Sequence, residues 1–432
     1  MICIRIALST LLAASLTAQA DIRTDANHAA DRIEGRVIEW RRDIHAHPEL
    51  GNREHRTAAL VANHLENLGM EVKTGVAHTG VVGLLRGGRP GPTVALRADM
   101  DALPVTEEVD LPFASKVKTM WAGKETGVMH ACGHDTHVAM LMGVAEILSG
   151  MRAQLKGNVK FIFQPAEEGP PPGETGGAAL MVEQGVMSDP KVDVVFGLHI
   201  GSMLEAGTLA YRPGPALAAA DVLRITVKGR QTHGSAPWTG VDPIVVSAQI
   251  ILGLQTIVSR QINITGEPAV LSIGSINGGN RFNIIPDQVE MTGTIRTFDE
   301  AMRDEIHKRI SNTATSIAAA AGATAEVEIE KPYAVTINDP ALTEKMLPTL
   351  KRVAGDDKVI LFPKITGAED FSFFAQKAPG LFVFLGGSPP GTDLRKVAYN
   401  HSPRFQIDES SLKLGVRTMT QLTLDYMEMN AK

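Results

Sequence analysis

Cysteine is nearly absent: Cys3 and Cys132 are the only thiols in 432 residues. A disulfide-stapled fold is excluded, and packing alone must hold the core. Aromatic residues are sparse as well, at 5 %. Positive charge is not in excess, since 42 Lys+Arg against 48 Asp+Glu leave a formal charge of −6. That balance argues against nucleic acid as the main partner, because phosphate binding needs a basic face. The one apolar run near membrane length lies at the extreme N-terminus, so no stable membrane insertion is expected of the rest. HExxH, GxSxG and GxxxxGK[ST] are all missing, which removes three common classes of enzyme site. Gly274–Gly279 precedes Asn280, Arg281, Phe282, Asn283 and a strand rather than a helix, so it is a poor nucleotide loop. What is present is 44 % hydrophobic, and the length suits two or three domains with real cores.

The N-terminus reads as an export signal. Arg5 precedes an apolar stretch from Ile6 to Leu16, and Ala18-Gln19-Ala20 is a small-x-small cleavage site. The stretch is too short to cross roughly 30 Å of hydrocarbon as a helix. Cleavage after Ala20 would leave 412 residues (432 − 20) carrying −7, because Arg5 is the only charge lost. A periplasmic or secreted location is expected. Cys3 would be removed too, leaving Cys132 as a lone thiol that burial or a metal must protect.

Along the mature chain, a charged amphipathic stretch over 25–50 leads to a helix predicted at Arg53–Leu68. Short apolar runs follow at Val81–Leu85, Val94–Ala98, Val159–Phe163 and Val192–Leu198, with helical segments at His137–Leu148 and Ala178–Gln184. This alternation predicts an α/β fold, a mostly parallel sheet with helices on both faces. After Pro213-Gly214-Pro215 the texture changes. Strand Asp221–Gly229, helix Pro243–Arg260, strands Ala269–Asn277 and Gln288–Thr297, helix Ala301–Ala321 and strand Ala325–Lys331 give a β-α-β-β-α-β order. From Tyr333 the first texture resumes, with Leu381–Leu385 strand-like and Ser410–Met427 helical. The expected division is a catalytic domain over 25–215 and 333–432, interrupted by a smaller domain over 219–331.

Met129–His137 holds one thiol and three imidazoles in nine residues. Cys132 and His134 can face one ion if Gly133 bends the backbone between them. A buried redox thiol beside incidental histidines is the alternative. His137 reads as a supporting residue at a helix start. Glu167 and Glu168 follow the strand Val159–Phe163, and strand C-termini are where open α/β sheets bind ligands. One carboxylate can then hold a metal while the other takes a proton from water; a solvated acidic pair is the rival. His199 ends Val192–Leu198 similarly, and His401 lies in a polar loop before the last helix. Asp99 and Asp101 follow Val94–Ala98, and Asp99 is placed to accept a ligand histidine's second N–H. Strand ends thus deliver Asp, Cys/His, Glu/Glu, His and His to one edge.

With Arg41–Leu50, Leu96–Pro104, Gly229–Pro237, Asn283–Asp287, Thr366–Phe371 and Asn400–Pro403, these segments resemble the aminoacylase, hippurate hydrolase and indoleacetyl-amino-acid hydrolase branch of the two-metal peptidases. The resemblance runs from about residue 35 to the C-terminus, in order. It implies a pair of divalent ions, and zinc suits a thiolate-imidazole-carboxylate set best, although manganese, cobalt and nickel also serve the family. The implied ligands are Cys132, bridging, with His134, Glu168, His199 and His401. Glu167 is the implied general base and Asp99 a supporting residue. The inserted domain is implied to be a lid that forms a homodimer, with His233 reaching a neighbouring active site to stabilise the tetrahedral intermediate. Arg97 stands where related peptidases begin a His-x-Asp motif, which argues against Arg97 as a ligand. Glu369 falls in a family signature near the site. The implied reaction cleaves an N-acyl amino acid into a carboxylic acid and a free amino acid. Arg281 and Asn283 are candidates for its carboxylate. Dipeptidase or carboxypeptidase action is the alternative within enzymes; an exported solute-binding protein is the alternative outside them, and Glu167 speaks against it because binding needs no base.

Overall fold

The apolar runs become strands of one eight-stranded sheet in a computed structural model that describes residues 21–431. The export signal read over residues 1–20 lies outside the described residues. The strand order is Glu71–Val76, Gly80–Arg86, Lys156–Gln164, Arg89–Asp99, Val194–Glu205, Gly380–Ser388, Leu209–Tyr211 and Val359–Leu361. The four central strands are parallel. Gly80–Arg86 joins them antiparallel and pairs antiparallel with Glu71–Val76, while Leu209–Tyr211 joins the other side antiparallel and pairs parallel with Val359–Leu361. The parallel sheet expected from the alternation is therefore the centre of a mixed one. Connection length explains the edge, since the short turn 77–79 can only reverse the chain into a hairpin.

Helices cover both faces. Ile22–Ala46, His134–Gly150 and Ser411–Asn430 pack on one side, through Ile44, Leu141, Val416 and Leu422. Gly177–Glu183 and Phe371–Ala375 close the other with Met181, Phe371 and Phe374. The central strands are buried on both faces, which is why they read as continuous apolar runs.

A second sheet is four-stranded and antiparallel, in the order Ala269–Gly278, Gln288–Thr297, Ala219–Lys228 and Thr324–Tyr333. Helices Pro243–Thr256 and Glu300–Ala320 pack on one of its faces, where Val246, Ile250 and Leu254 share a core with Ile306, Ile310 and Ala314. Both helices start at an aspartate: Asp242 accepts from the Ile244 and Val245 amides, Asp299 from that of Met302. The helical stretch Pro243–Gln261 is apolar and long enough to cross a membrane by composition alone. Its inner face is already packed on the sheet, while Ile244, Val245 and Leu252 remain exposed.

Candidate active site

The parallel strands bring their C-terminal ends to a common edge, and the site is built there. Asp99 ends one strand, Gln164 ends its neighbour just before Glu167 and Glu168, and His199 lies in a third. Gly133 caps the helix His134–Gly150 at φ +89, and a Cβ there would meet Ile200 Cγ2 at 2.6 Å. A bare, left-handed residue is thus required between Cys132 and His134, and it turns both inward.

Two triads result. Ligand atoms of Cys132, His134 and His199 lie within 4.8 Å of one another, and so do those of Cys132, Glu168 and His401. Cys132 belongs to both. Its Sγ is 3.5 Å from His199 Nε2, and His401 Nε2 is 3.0 Å from Glu168 Oε1. The far ring nitrogens are spoken for. His134 Nδ1 donates to the Asp101 carbonyl at 2.8 Å and lies 3.2 Å from Asp101 Oδ1, and His199 Nδ1 donates to the Ile200 carbonyl at 2.7 Å. These bonds fix the tautomers that turn each Nε2 toward the thiol. His134 Nε2 is buried without a hydrogen-bond partner. A thiol shared by both triads, three imidazoles and a carboxylate with such an orphaned nitrogen fit a pair of divalent ions, which Cys132, His134, Glu168, His199 and His401 would hold.

Electrostatics separate the two glutamates. Burial pushes the Glu167 carboxyl well above its ordinary range, and Glu369, Glu168 and Asp370 add to the effect. Burial also pushes Glu168 upward, but the His401 hydrogen bond and the charges of His134 and His401 bring it below its usual value. Adjacent carboxyls with opposed shifts are suited to different tasks, proton transfer and metal binding. Burial keeps the His199 imidazole well below its usual range, in the neutral form that ligates.

His137 spends both nitrogens: Nδ1 donates to Asp99 Oδ1 at 2.6 Å, and Nε2 accepts from the Ile200 amide at 2.8 Å. The other Asp99 oxygen accepts from Arg97 at 2.6 Å. The expectation that Asp99 holds a ligand histidine's second N–H is thereby corrected. Asp101 does this for His134, because the oxygens of Asp99 are taken by His137 and Arg97. Arg97 is buried and also donates to Gln164 (2.8 Å), Glu369 (2.8 Å) and Asp370 (3.0 Å). Glu369, whose carboxylate groups with those of Glu167 and Asp370, is thus one wall of an acidic cluster whose buried cation is Arg97.

A cavity of about 490 Å³ opens over Cys132, Glu167, Glu168, His199 and His401. Leu217, Ile365 and Phe384 form apolar wall, and the inserted sheet contributes Arg296 and Tyr333. Arg296 is half-buried, burial lowers its pKa, and it forms no salt bridge among the described residues. Sequence reasoning missed it, since one arginine in an alternating strand looks like any surface charge. The three candidates from the inserted domain lie elsewhere. His233 is exposed on the two-residue strand Thr232–His233, which pairs with Ile284–Ile285, and the Gly234 amide donates to the Asn283 carbonyl. His233, Arg281 and Asn283 cluster along this segment, and none lines the cavity of its own chain.

An α/β sheet carrying a thiol-bridged double triad beside a free carboxyl defines a metal-dependent hydrolase. The chain belongs to peptidase family M20/M25/M40, which matches residues 95–425. It is 45 % identical over 397 residues to thermostable carboxypeptidase 2 of Saccharolobus solfataricus, covering 91 % of this chain and 96 % of that one. It is 36 % identical over 403 residues to the IAA-amino acid hydrolase ILR1-like 2 of Arabidopsis thaliana, covering 91 % and 87 %. Among solved structures it resembles the Bacillus subtilis YXEP protein, a dinuclear metal-binding M20 peptidase. That match has a TM-score of 0.76 and 35 % identity, over 92 % of this chain and 99 % of the other.

Proposed function

We propose that the protein hydrolyses the amide bond of N-acyl amino acids, releasing a carboxylic acid and a free amino acid. The observation that carries this reading is Arg296, a guanidinium with no salt-bridge partner among the described residues, on the wall of the cavity that holds Glu167. A substrate carboxylate is the natural partner for such a fork. Leu217, Ile365 and Phe384 offer an apolar surface to the acyl group. Two divalent ions held by Cys132, His134, Glu168, His199 and His401, zinc first among them, would supply Lewis acidity and a more acidic water. Glu167 takes the proton of the attacking water and hands it to the departing nitrogen. Asp99 acts indirectly, by fixing His137 and Arg97. Short peptides are the second reading, favoured by the likeness to a carboxypeptidase, since a peptide C-terminus presents the same carboxylate.

The same reading includes a homodimer. Trp238, Leu252 and Phe282 are 80 %, 71 % and 96 % exposed on the inserted domain, large apolar side chains that a second copy would cover. His233 would then stabilise the oxyanion in the partner's cavity, with Arg281 and Asn283 beside it. Residues 1–20, read as an export signal, would send the enzyme to the periplasm or outside the cell.

The test is product release from N-acyl amino acids and from their C-terminal amides, with chelator and with added zinc or manganese. Free acids should be cleaved, amides much more slowly, and chelator should abolish both reversibly. Equal cleavage of acids and amides would refute the carboxylate requirement. Activity indifferent to chelator would refute the metal.

A further inference from the structure

The backbone around Glu167 and Glu168 hangs on three hydrogen bonds from outside. The Ala166 amide donates to Glu54 Oε1 at 2.9 Å, and the Glu168 amide donates to Asp101 Oδ2 at 2.9 Å. The Glu167 carbonyl accepts from the Tyr333 hydroxyl at 2.8 Å. Such support is needed because Ala166 sits at φ +51, a costly conformation for a residue with a Cβ.

The first two tethers come from the main sheet's own part of the chain. The third does not. Tyr333 is the last residue of a strand of the inserted sheet, and its own carbonyl accepts from Arg303 Nη2 at 3.0 Å. Arg303 is buried and ion-paired with buried Asp221, which also bonds His307 Nε2 at 2.6 Å. A continuous set of bonds therefore runs from the helix Glu300–Ala320 to the peptide group of Glu167. Burial, with the nearby charge of Glu167, pushes the Tyr333 phenol up, so the hydroxyl stays a donor.

Resting on the hydrolase reading above, we propose that Tyr333 is a positioning residue that ties the seating of the inserted domain to the aim of the Glu167 carboxylate. It acts through the carbonyl it holds rather than on substrate.

Tyr333→Phe removes the hydroxyl and keeps the ring. In the zinc-loaded protein, kcat should fall about threefold to tenfold, the scale of one hydrogen bond, with KM and zinc content unchanged. Backbone amide exchange should quicken in the peptide covering residues 166–169 and nowhere else. In a Glu167→Asp background, where the base is already misplaced, Tyr333→Phe should cost less than twofold more. Unchanged exchange at 166–169 would overturn the proposal. So would losses that multiply in the double variant, since these would mean direct action on substrate. A wild-type protein that cleaves nothing, with exchange still quickened in the variant, would refute the hydrolase reading and leave the tether standing.

Discussion

Arg296 and Arg97 are both strand arginines near the same carboxyls, and their neighbours give them different work. Arg97 is saturated by Asp99, Glu369, Asp370 and Gln164, so nothing is left over for a ligand. Arg296 faces the cavity without a salt bridge among the described residues. Arg296→Ala should raise KM for N-acyl amino acids roughly 10- to 100-fold, the loss of about 1.5–3 kcal/mol for a charged hydrogen bond. KM for the C-terminal amides should barely move. Steady-state kinetics on acid and amide pairs checks this. At this scale the candidate metal cluster and its neighbouring acid were legible in the sequence, because Cys132, His134, Glu167 and Glu168 stand close to a strand or helix end and His199 extends an apolar run. Asp99 and Asp101 were harder: two acids two residues apart look alike until His137 and Arg97 claim one of them. Arg296 was hidden, because the cavity it lines is assembled from residues far away in the chain.

Between elements, Glu54 is the most exacting joint. It precedes the helix His55–Asn67, is fully buried, and accepts from the Thr79 hydroxyl and the Ala166 amide. Burial, reinforced by the charge of Asp101, raises its carboxyl from 4.5 to about 8. The sign follows from linkage. Between those values the folded chain keeps a proton that the unfolded chain has lost, so folding stability falls as pH rises through this window. Below the ordinary value both states are protonated, and above the raised one both are charged, so the slope ends there. Glu54→Gln removes this contribution. Its Tm relative to wild type should therefore improve from pH 5 to pH 8, read by differential scanning calorimetry; a constant offset would show that Glu54 does not titrate there. The elements legible in the sequence were those buried on both faces or sharply periodic. The edge strand Glu71–Val76 and the hairpin Lys118–Trp121 and Lys124–Gly127 went unread, because they are largely exposed and polar. The strand expected to stop at Lys331 runs to Tyr333, past an irregularity opposite Ala220 and Val222. Alternation cannot reveal such a bulge, and it is the two extra residues that bring Tyr333 to Glu167.

For the whole molecule, the exposed Trp238, Leu252 and Phe282 and the position of His233 outside its own cavity make the proposed dimer testable by complementation. His233→Ala and Glu167→Gln should each be nearly inactive alone. Mixed and re-associated in equal amounts, they should recover about a quarter of wild-type activity, because half the dimers are mixed and each of these has one intact site. No recovery in demonstrably mixed dimers would place His233 outside the reaction. The central claim of the proposed function is that Glu167 carries the proton beside a metal pair. The most direct measurement is metal content and turnover of Glu167→Gln beside wild type. Two metal ions retained, with kcat reduced about a thousandfold as for loss of a general base, is the predicted result. Turnover within a few-fold of wild type, with both metals bound, would contradict the account.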